Sequence, residues 1–79
     1  MKPEDAFGQI LHVLRGKRGL TQEKLAMEAN LDRTYISLLE RGLRQPTLTT
    51  ILDIASILKI PASHIIELVE EEMKRGKKK

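Results

Sequence analysis

The amino-acid sequence predicts an all-α fold, a compact five-helix bundle. Apolar residues recur at helical spacing in five separate segments, and no segment shows the apolar–polar alternation of a half-buried strand. The chain has 79 residues, of which 41% are hydrophobic, which suffices for one core but not for two domains. We therefore expect a single domain over residues 1–73.

The first three helices are bounded by residues that favour helix ends. Pro3 suits a first helical turn, so we predict the first helix from Pro3 to Lys17. Thr21 is the predicted N-cap of a short second helix, and the third is predicted between Asp32, as its N-cap, and Gly42. The residues expected to face inward are Phe7, Ile10, Leu11 and Leu14 in the first helix and Leu25, Ala26 and Ala29 in the second.

The last two helices follow a loop that contains a proline. Thr47 is the predicted N-cap of the fourth helix, and Pro61 introduces the fifth, which we expect to end near Glu72. The fourth helix is expected to turn inward Leu48, Ile51, Leu52, Ala55 and Leu58. Beyond Met73 apolar periodicity is lost, so residues 74–79 are predicted to form a basic, disordered tail.

The spacing of residues between the second and third helices indicates a helix-turn-helix. Ala26 is small where two helices would cross, and Asn30 tolerates the left-handed conformation of a tight turn. Ile36 and Leu39 would then pack the third helix back onto the second. In such a unit the second helix holds the third so that its outer face enters the major groove of DNA.

The outer face of the third helix is rich in hydrogen-bond donors and free of acids. It is formed by Arg33, Thr34, Ser37, Leu38 and Arg41. Arg33 can pair bidentately with guanine, and Leu38 can cover a thymine methyl. Thr34 and Ser37 can reach bases or phosphates, although short hydroxyls specify weakly. Tyr35 has a helical angle that faces inward, which leaves a core role and a DNA contact both open.

The sequence resembles a known family over nearly its whole length. The stretch "LTQEKLAMEANLDRTYISLLERGLRQPTLTTILDIASILKI" is similar to the helix-turn-helix domains of the Xre or phage-repressor/Cro type. Within that family, "AFGQILHVLRGKRGLTQEKLA", "LDRTYIS" and "IPAS" resemble the controller proteins of restriction–modification systems. The resemblance implies a phage-repressor-type bundle and a small dimeric regulator that binds operators ahead of its own gene and the endonuclease gene.

The resemblance also implies roles for individual residues. The base-reading positions correspond to Arg33, Thr34 and Ser37, and Tyr35 stands where controller proteins can also reach DNA. Gln22 would touch a phosphate and brace the first reading residue, while Arg15 and Glu40 match an ion pair between the first and third helices. Asn30 replaces the usual glycine of the turn. The residues expected near phosphates are Thr21, Gln22, Arg41, Arg44 and Thr47.

The fifth helix carries more apolar surface than one core face can accept. The residues concerned are Ile65, Ile66, Leu68 and Val69. Because some of that surface should be covered by another molecule, we predict a homodimer through this helix. A twofold dimer would place two recognition helices about 34 Å apart, one turn of B-DNA.

Several classes of protein are disfavoured by the composition. No apolar run approaches the roughly 18 residues of a membrane span, and the acidic N-terminus does not suit a signal peptide, so we expect a soluble, intracellular protein. The resemblance implies a cytoplasmic protein of a bacterial cell, or one associated with the nucleoid. With no cysteine, and with His12 and His64 far apart, no metal or other cofactor is expected. The sequence offers no small-molecule site and no catalytic constellation, so an enzyme is not expected.

These observations predict a sequence-specific regulator of transcription that binds double-stranded DNA. The dimer would read a palindromic operator, and the net charge of +3 agrees weakly with a polyanionic partner. An alternative from a different class is an antitoxin whose main partner is a toxin protein, because the same domain serves both. The neighbouring gene would discriminate between these two functions.

Overall fold

The computed structural model describes residues 1–77 and contains five helices in that range and no strand. The helices are α1 (Pro3–Lys17), α2 (Gln22–Glu28), α3 (Arg33–Glu40), α4 (Leu48–Leu58) and α5 (Ala62–Lys77). The predicted all-α fold is therefore confirmed. None of the helices described is both long and apolar enough to cross a bilayer.

The three predicted N-caps are confirmed. Thr21, Asp32 and Thr47 each accept a hydrogen bond from a backbone N–H in the first turn of the following helix, at 2.9–3.0 Å. Each bond satisfies a donor that the helix itself leaves free, which stabilises the helix by about 1 kcal/mol. Helices α2, α3 and α4 therefore begin where the sequence indicates.

The core draws on all five helices. Helix α1 packs against α3 and α5, α2 packs against α3 and α4, and α4 packs against α5. The largest fully buried side chains are Leu11, Leu25, Ile36, Leu39, Ile54, Leu58 and Ile65. Burying a leucine or isoleucine stabilises the fold by about 1.5–3 kcal/mol, so this aliphatic cluster is the main support of α3.

Helix α1 lies directly on the backbone at the end of α3. A Cβ atom on Gly8 would come within 2.5 Å of the carbonyl oxygen of Leu39 and 2.6 Å of that of Glu40. Gly42, just beyond α3, has a φ of 74°, and a Cβ there would approach the Asp5 carboxylate. Glycine is therefore required at Gly8 by space and at Gly42 by conformation as well.

The inward face expected for α4 is partly wrong. Leu48 is 72% exposed and Leu52 is 52% exposed, whereas Ile54, which was not expected inside, is fully buried. Helix α4 carries apolar side chains around most of its circumference. Apolar periodicity alone therefore fits more than one face, and only the packing against α2 and α5 decides which one is inside.

The expected disordered tail is also corrected. Helix α5 continues beyond Met73 to Lys77, while residues 78 and 79 lie outside the described part of the chain. Met73 packs against the core, and Arg75 pairs with Glu72 one turn earlier. An anchored helix needs no further apolar periodicity when oppositely charged residues stand three or four positions apart.

Candidate nucleic-acid interface

The turn between α2 and α3 is tight and left-handed at one residue. Asn30 has a φ of 58°, and the N–H of Leu31 donates to the carbonyl oxygen of Ala26 at 2.8 Å. This bond closes the C-terminal end of α2. Ala26 itself is buried. The helix-turn-helix geometry predicted from these residues is therefore present.

Helix α3 has one face in the core and one face towards solvent. Ile36 and Leu39 are completely buried, and they hold the helix against α1 and α2. The predicted reading residues on the other side differ in exposure: Arg33 and Thr34 are exposed, while Ser37 and Leu38 are half-buried. The exposed N-terminal half of α3 is thus the part that offers side chains most freely to a partner.

Tyr35 lies between the two faces. Its side chain is half-buried and packs against the core cluster. The inward helical angle inferred from the sequence is therefore present, and part of the side chain still reaches the surface. Both roles considered for Tyr35, in packing and in contact with DNA, remain compatible with this position.

The residues expected near phosphates fall into two groups. The hydroxyls of Thr21 and Thr47 act as N-caps, and Thr47 also donates to the hydroxyl of Thr50 at 2.9 Å. Arg41 and Arg44 are exposed, and within residues 1–77 neither makes an ion pair. The two arginines are consequently available to bind an anion, whereas the two threonine hydroxyls are already hydrogen-bonded within the protein.

A buried carboxylate joins α1, α2 and α3. The Glu40 side chain is only 6% exposed, and Arg15 Nε donates to its Oε2 at 2.6 Å. Gln22 Nε2 donates to Glu40 Oε1 at 3.1 Å, and His12 Nδ1 lies 3.1 Å from the same oxygen. Arg15 Nη1 also donates to the carbonyl oxygen of Leu20 at 2.8 Å. The ion pair implied by the resemblance is thus formed and extended by two further side chains.

The position of Gln22 differs in part from the one expected. We expected its side chain to brace the first reading residue of α3, but it donates to Glu40, at the opposite end of that helix. The participation of His12 was missed altogether. Its position three residues before Arg15 puts both on one face of α1, but this spacing alone does not show that Glu40 lies beside that face.

The charge state of this cluster follows from its hydrogen bonds. Burial raises the pKa of the Glu40 carboxyl. Hydrogen bonds from Arg15, Gln22 and His12 together lower it by more than burial raises it, so the pKa of Glu40 lies below its ordinary value. The hydrogen bond to Glu40 raises the pKa of Arg15 above its ordinary value, and this effect exceeds the lowering caused by burial. Glu40 and Arg15 are therefore both charged at neutral pH.

The dimer surface expected on α5 needs a correction. Ile65 and Val69 are buried in the chain's own core, so they have no surface to offer a second molecule. Ile66 is 42% exposed and Leu68 is half-buried. A helix buries one side against its neighbours, and α5 lies between α1 and α4, which takes up two of the four residues.

The exposed part of α5 adjoins α4 at Ile51, which is half-buried. Ile66 and Ile51 line the same shallow cavity, of about 180 Å³. Leu48 and Leu52, both exposed, flank Ile51 on α4. We call the surface formed by Leu48, Ile51, Leu52 and Ile66 the α4/α5 apolar surface.

Comparison with known proteins places this geometry in a family. The family model described as Helix-turn-helix matches residues 11–65, which include the α2–turn–α3 unit. The chain belongs to this helix-turn-helix family.

Two curated relatives show similarity over most of the chain. The chain is 40% identical over 68 residues to the immunity repressor protein of Bacillus phage phi105, covering 82% of this chain but 47% of that protein. It therefore spans about half the length of the phage repressor. It is also 40% identical over 62 residues to the control protein C.BamHI of Bacillus amyloliquefaciens, covering 77% of this chain and 76% of that protein.

A solved structure agrees with these relatives. The chain is similar to the restriction–modification controller protein C.Esp1396I, in the crystal structure of its tetramer in complex with its natural 35-base-pair operator. The TM-score is 0.81 at 32% sequence identity, and the match covers 91% of this chain and 95% of that one.

Proposed function

We propose that this protein is a sequence-specific transcriptional regulator that binds a palindromic operator in double-stranded DNA as a homodimer. The observation that carries the proposal is the division of α3. Ile36 and Leu39 are fully buried, while Arg33 and Thr34 stand exposed on the opposite side. This arrangement fixes the helix on the protein and leaves its donors free to meet base edges in the major groove.

Base reading falls to the residues on the outer face of α3. Arg33 pairs with a guanine through its two parallel N–H groups, and Thr34 and Ser37 make shorter contacts beside it. Leu38 and Tyr35 contribute the apolar part of the surface. Arg41 and Arg44, exposed at and beyond the end of α3, meet phosphates that border the groove.

The homodimer forms through the α4/α5 apolar surface. Leu48, Leu52 and Ile66 are large exposed apolar side chains, and Ile66 shares a cavity with Ile51 of the helix that carries both leucines. Covering them removes apolar area from water. A twofold contact is self-complementary, so one such surface on each copy suffices. Of the α5 residues predicted from the sequence, Ile66 is retained, and the two leucines of α4 replace Ile65 and Val69. Leu68 is half-buried and lines a cavity with Val13 of α1, outside this surface.

The relatives favour one biological setting for this activity. Similarity to C.BamHI and to C.Esp1396I over most of both chains supports a controller of a restriction–modification system, acting in the bacterial cytoplasm. Genes for a methyltransferase and an endonuclease beside the coding sequence are expected. A toxin gene in that position would instead support the antitoxin alternative.

The proposal is tested by titrating the protein against the DNA just upstream of its own gene. A scrambled duplex of equal length serves as the control, at about 150 mM salt, because charge alone can imitate binding at low salt. We expect a preference of about a thousandfold or more, with two subunits bound per palindrome. Equal, salt-sensitive binding to both duplexes would contradict operator recognition.

The dimer is tested separately by sedimentation. Ile66→Lys places a charge in the α4/α5 apolar surface and should shift the protein towards the monomer. Val13→Lys is the matched control, since Val13 is 48% exposed but lies on α1, outside that surface. If both variants sediment like the unmodified protein, the dimer lies elsewhere.

A further inference from the structure

Two polar side chains from different helices converge on one oxygen of Glu40. His12 Nδ1, from α1, and Gln22 Nε2, from α2, each lie 3.1 Å from Glu40 Oε1. The imidazole ring and the side-chain amide are therefore neighbours. Glu40 thus brings together side chains from two different helices. The ion pair between Arg15 and Glu40 is formed through other atoms, Arg15 Nε and Glu40 Oε2.

Burial differs sharply within this group. Glu40 is buried beneath the surface, whereas the His12 side chain is 67% exposed. Within residues 1–77 the outer nitrogen of the ring, Nε2, makes no hydrogen bond, and neither does the second N–H of the Gln22 amide. The carboxylate thus holds the inner edge of both groups and leaves their outer edges available for a ligand.

The group lies at the C-terminal end of the helix proposed to enter the major groove. Glu40 is the last residue of α3, and the next residue, Arg41, is exposed. The DNA backbone borders the groove on either side of a recognition helix, and polar side chains near the ends of that helix meet phosphate oxygens. An anionic ligand is therefore the chemistry that this position and these donors fit.

We propose that His12 and Gln22 together hold one phosphate of the DNA backbone, with Glu40 as the residue that positions both. The inference rests on the proposed function, and it adds His12 as a DNA contact and gives Glu40 a role besides the ion pair. Gln22 donates its second N–H to a phosphate oxygen, and His12 donates from Nε2.

The His12 contact uses both ring nitrogens as donors. Glu40 accepts the proton on Nδ1, so in the neutral ring Nε2 has none to donate. The imidazolium form, which carries a proton on each nitrogen, is the form that donates to Glu40 and to the phosphate at once. The charged groups that face the ring are Glu40 from α3 and Arg15 from α1, whose Nη2 lies 3.2 Å from Nδ1. The phosphate charge offsets the repulsion between that guanidinium and the imidazolium.

The experiment uses a duplex selected by the unmodified protein from a random pool, so that a binding site is in hand. Affinity for this duplex is measured for His12→Ala, Gln22→Ala, the double variant and Gln9→Ala. Gln9 is the control, because it is exposed on α1 but lies outside the Glu40 group. Thermal melting of each variant verifies that the fold is kept. Interference by ethylation of single phosphates then maps the backbone contacts of each protein.

The expected result has three parts. Each single variant binds about tenfold more weakly, while Gln9→Ala binds as the unmodified protein does. The double variant loses less than the product of the two single losses, because both residues serve one phosphate. Ethylation of one phosphate per half-site interferes with the unmodified protein but not with the double variant, in which neither residue can reach that phosphate.

Other results distinguish failure of the phosphate contact from failure of the proposed function. If the unmodified protein selects a duplex and His12→Ala binds it with the same affinity and the same ethylation pattern, the phosphate contact is refuted while operator binding stands. If a uniform loss at every phosphate accompanies a lowered melting temperature, the role of His12 is structural and the inference fails. If no duplex is selected at all, the proposed function and this inference fall together.

Discussion

The close contact between α1 and α3 predicts opposite effects for one substitution at two sites. Gly8 and Gly16 both lie in α1, and each can be replaced by alanine. A Cβ on Gly8 would meet three backbone atoms of Leu39 and Glu40 at 2.5–2.9 Å, whereas a Cβ on Gly16 would have no neighbour within 4 Å. The pair therefore isolates the effect of space from the effect of helix propensity.

The magnitudes follow from these distances. Replacing glycine by alanine in a helix stabilises it by about 0.5–1 kcal/mol, and Gly16→Ala should show that gain in full. At Gly8 the same gain is opposed by overpacking, which costs about 1–3 kcal/mol or more, because backbone atoms cannot move aside as a flexible side chain would. We expect Gly8→Ala to be the less stable variant by about 1–3 kcal/mol.

Urea unfolding followed by circular dichroism at 222 nm measures both variants against the unmodified protein. Gly8→Ala should also bind operator more weakly than its folded fraction explains, since the displaced backbone belongs to α3. Equal stability of the two variants would refute the direct backbone contact between α1 and α3. Loss of stability in Gly16→Ala would refute the reasoning on propensity instead.

Three further predictions follow from the same structure. Leu39→Ala should reduce the free energy of unfolding by about 2–5 kcal/mol, measured by urea titration, and an unchanged value would place Leu39 outside the core. Arg33→Ala should cost about 1–3 kcal/mol of binding free energy and relax base preference at one position per half-site, whereas Arg44→Ala should weaken all duplexes alike; the reverse pattern in a selection experiment would exchange their roles. The folded-state pKa of Glu40 lies below its unfolded value of about 4.3, so its contribution to stability is present above that value and lost as pH falls through the folded pKa. Unfolding measured from pH 6 to pH 3 should therefore lose stability less steeply in Glu40→Gln, and equal slopes would contradict this.

Helix ends and the buried face of α3 could be predicted because local chemistry determines them. Thr21, Asp32 and Thr47 stand where a side-chain oxygen can cap a helix, and all three do so. Ile36 and Leu39 are the apolar pair on a helix whose other face is polar, so only one orientation buries apolar surface. The resemblance to a known family added the partners of the ion pair, which no local pattern contains.

Features that depend on how helices meet could not be predicted in the same way. Leu48 and Leu52 are apolar but exposed, because α4 offers two apolar faces and α5 covers only part of them. In the sequence, a glycine inside a helical segment indicates only a less stable helix. The need for glycine at Gly8 becomes visible when α3 is placed beside α1, because a side chain there would meet the α3 backbone. The contact of His12 and Gln22 with Glu40 likewise requires the mutual orientation of three helices.

The separation of the two faces of α3 has a consequence for how such a protein can diversify. The residues that hold α3 in place are Ile36, Leu39 and Glu40, and none of them is among the residues proposed to read bases. Exchanges at Arg33, Thr34 or Ser37 therefore alter the preferred DNA sequence with little change in the free energy of unfolding, since surface substitutions usually change it by less than about 0.5 kcal/mol. Single substitutions can therefore change the preferred operator without unfolding the protein, and these three positions are the ones to vary when the protein is to be directed to a chosen DNA sequence.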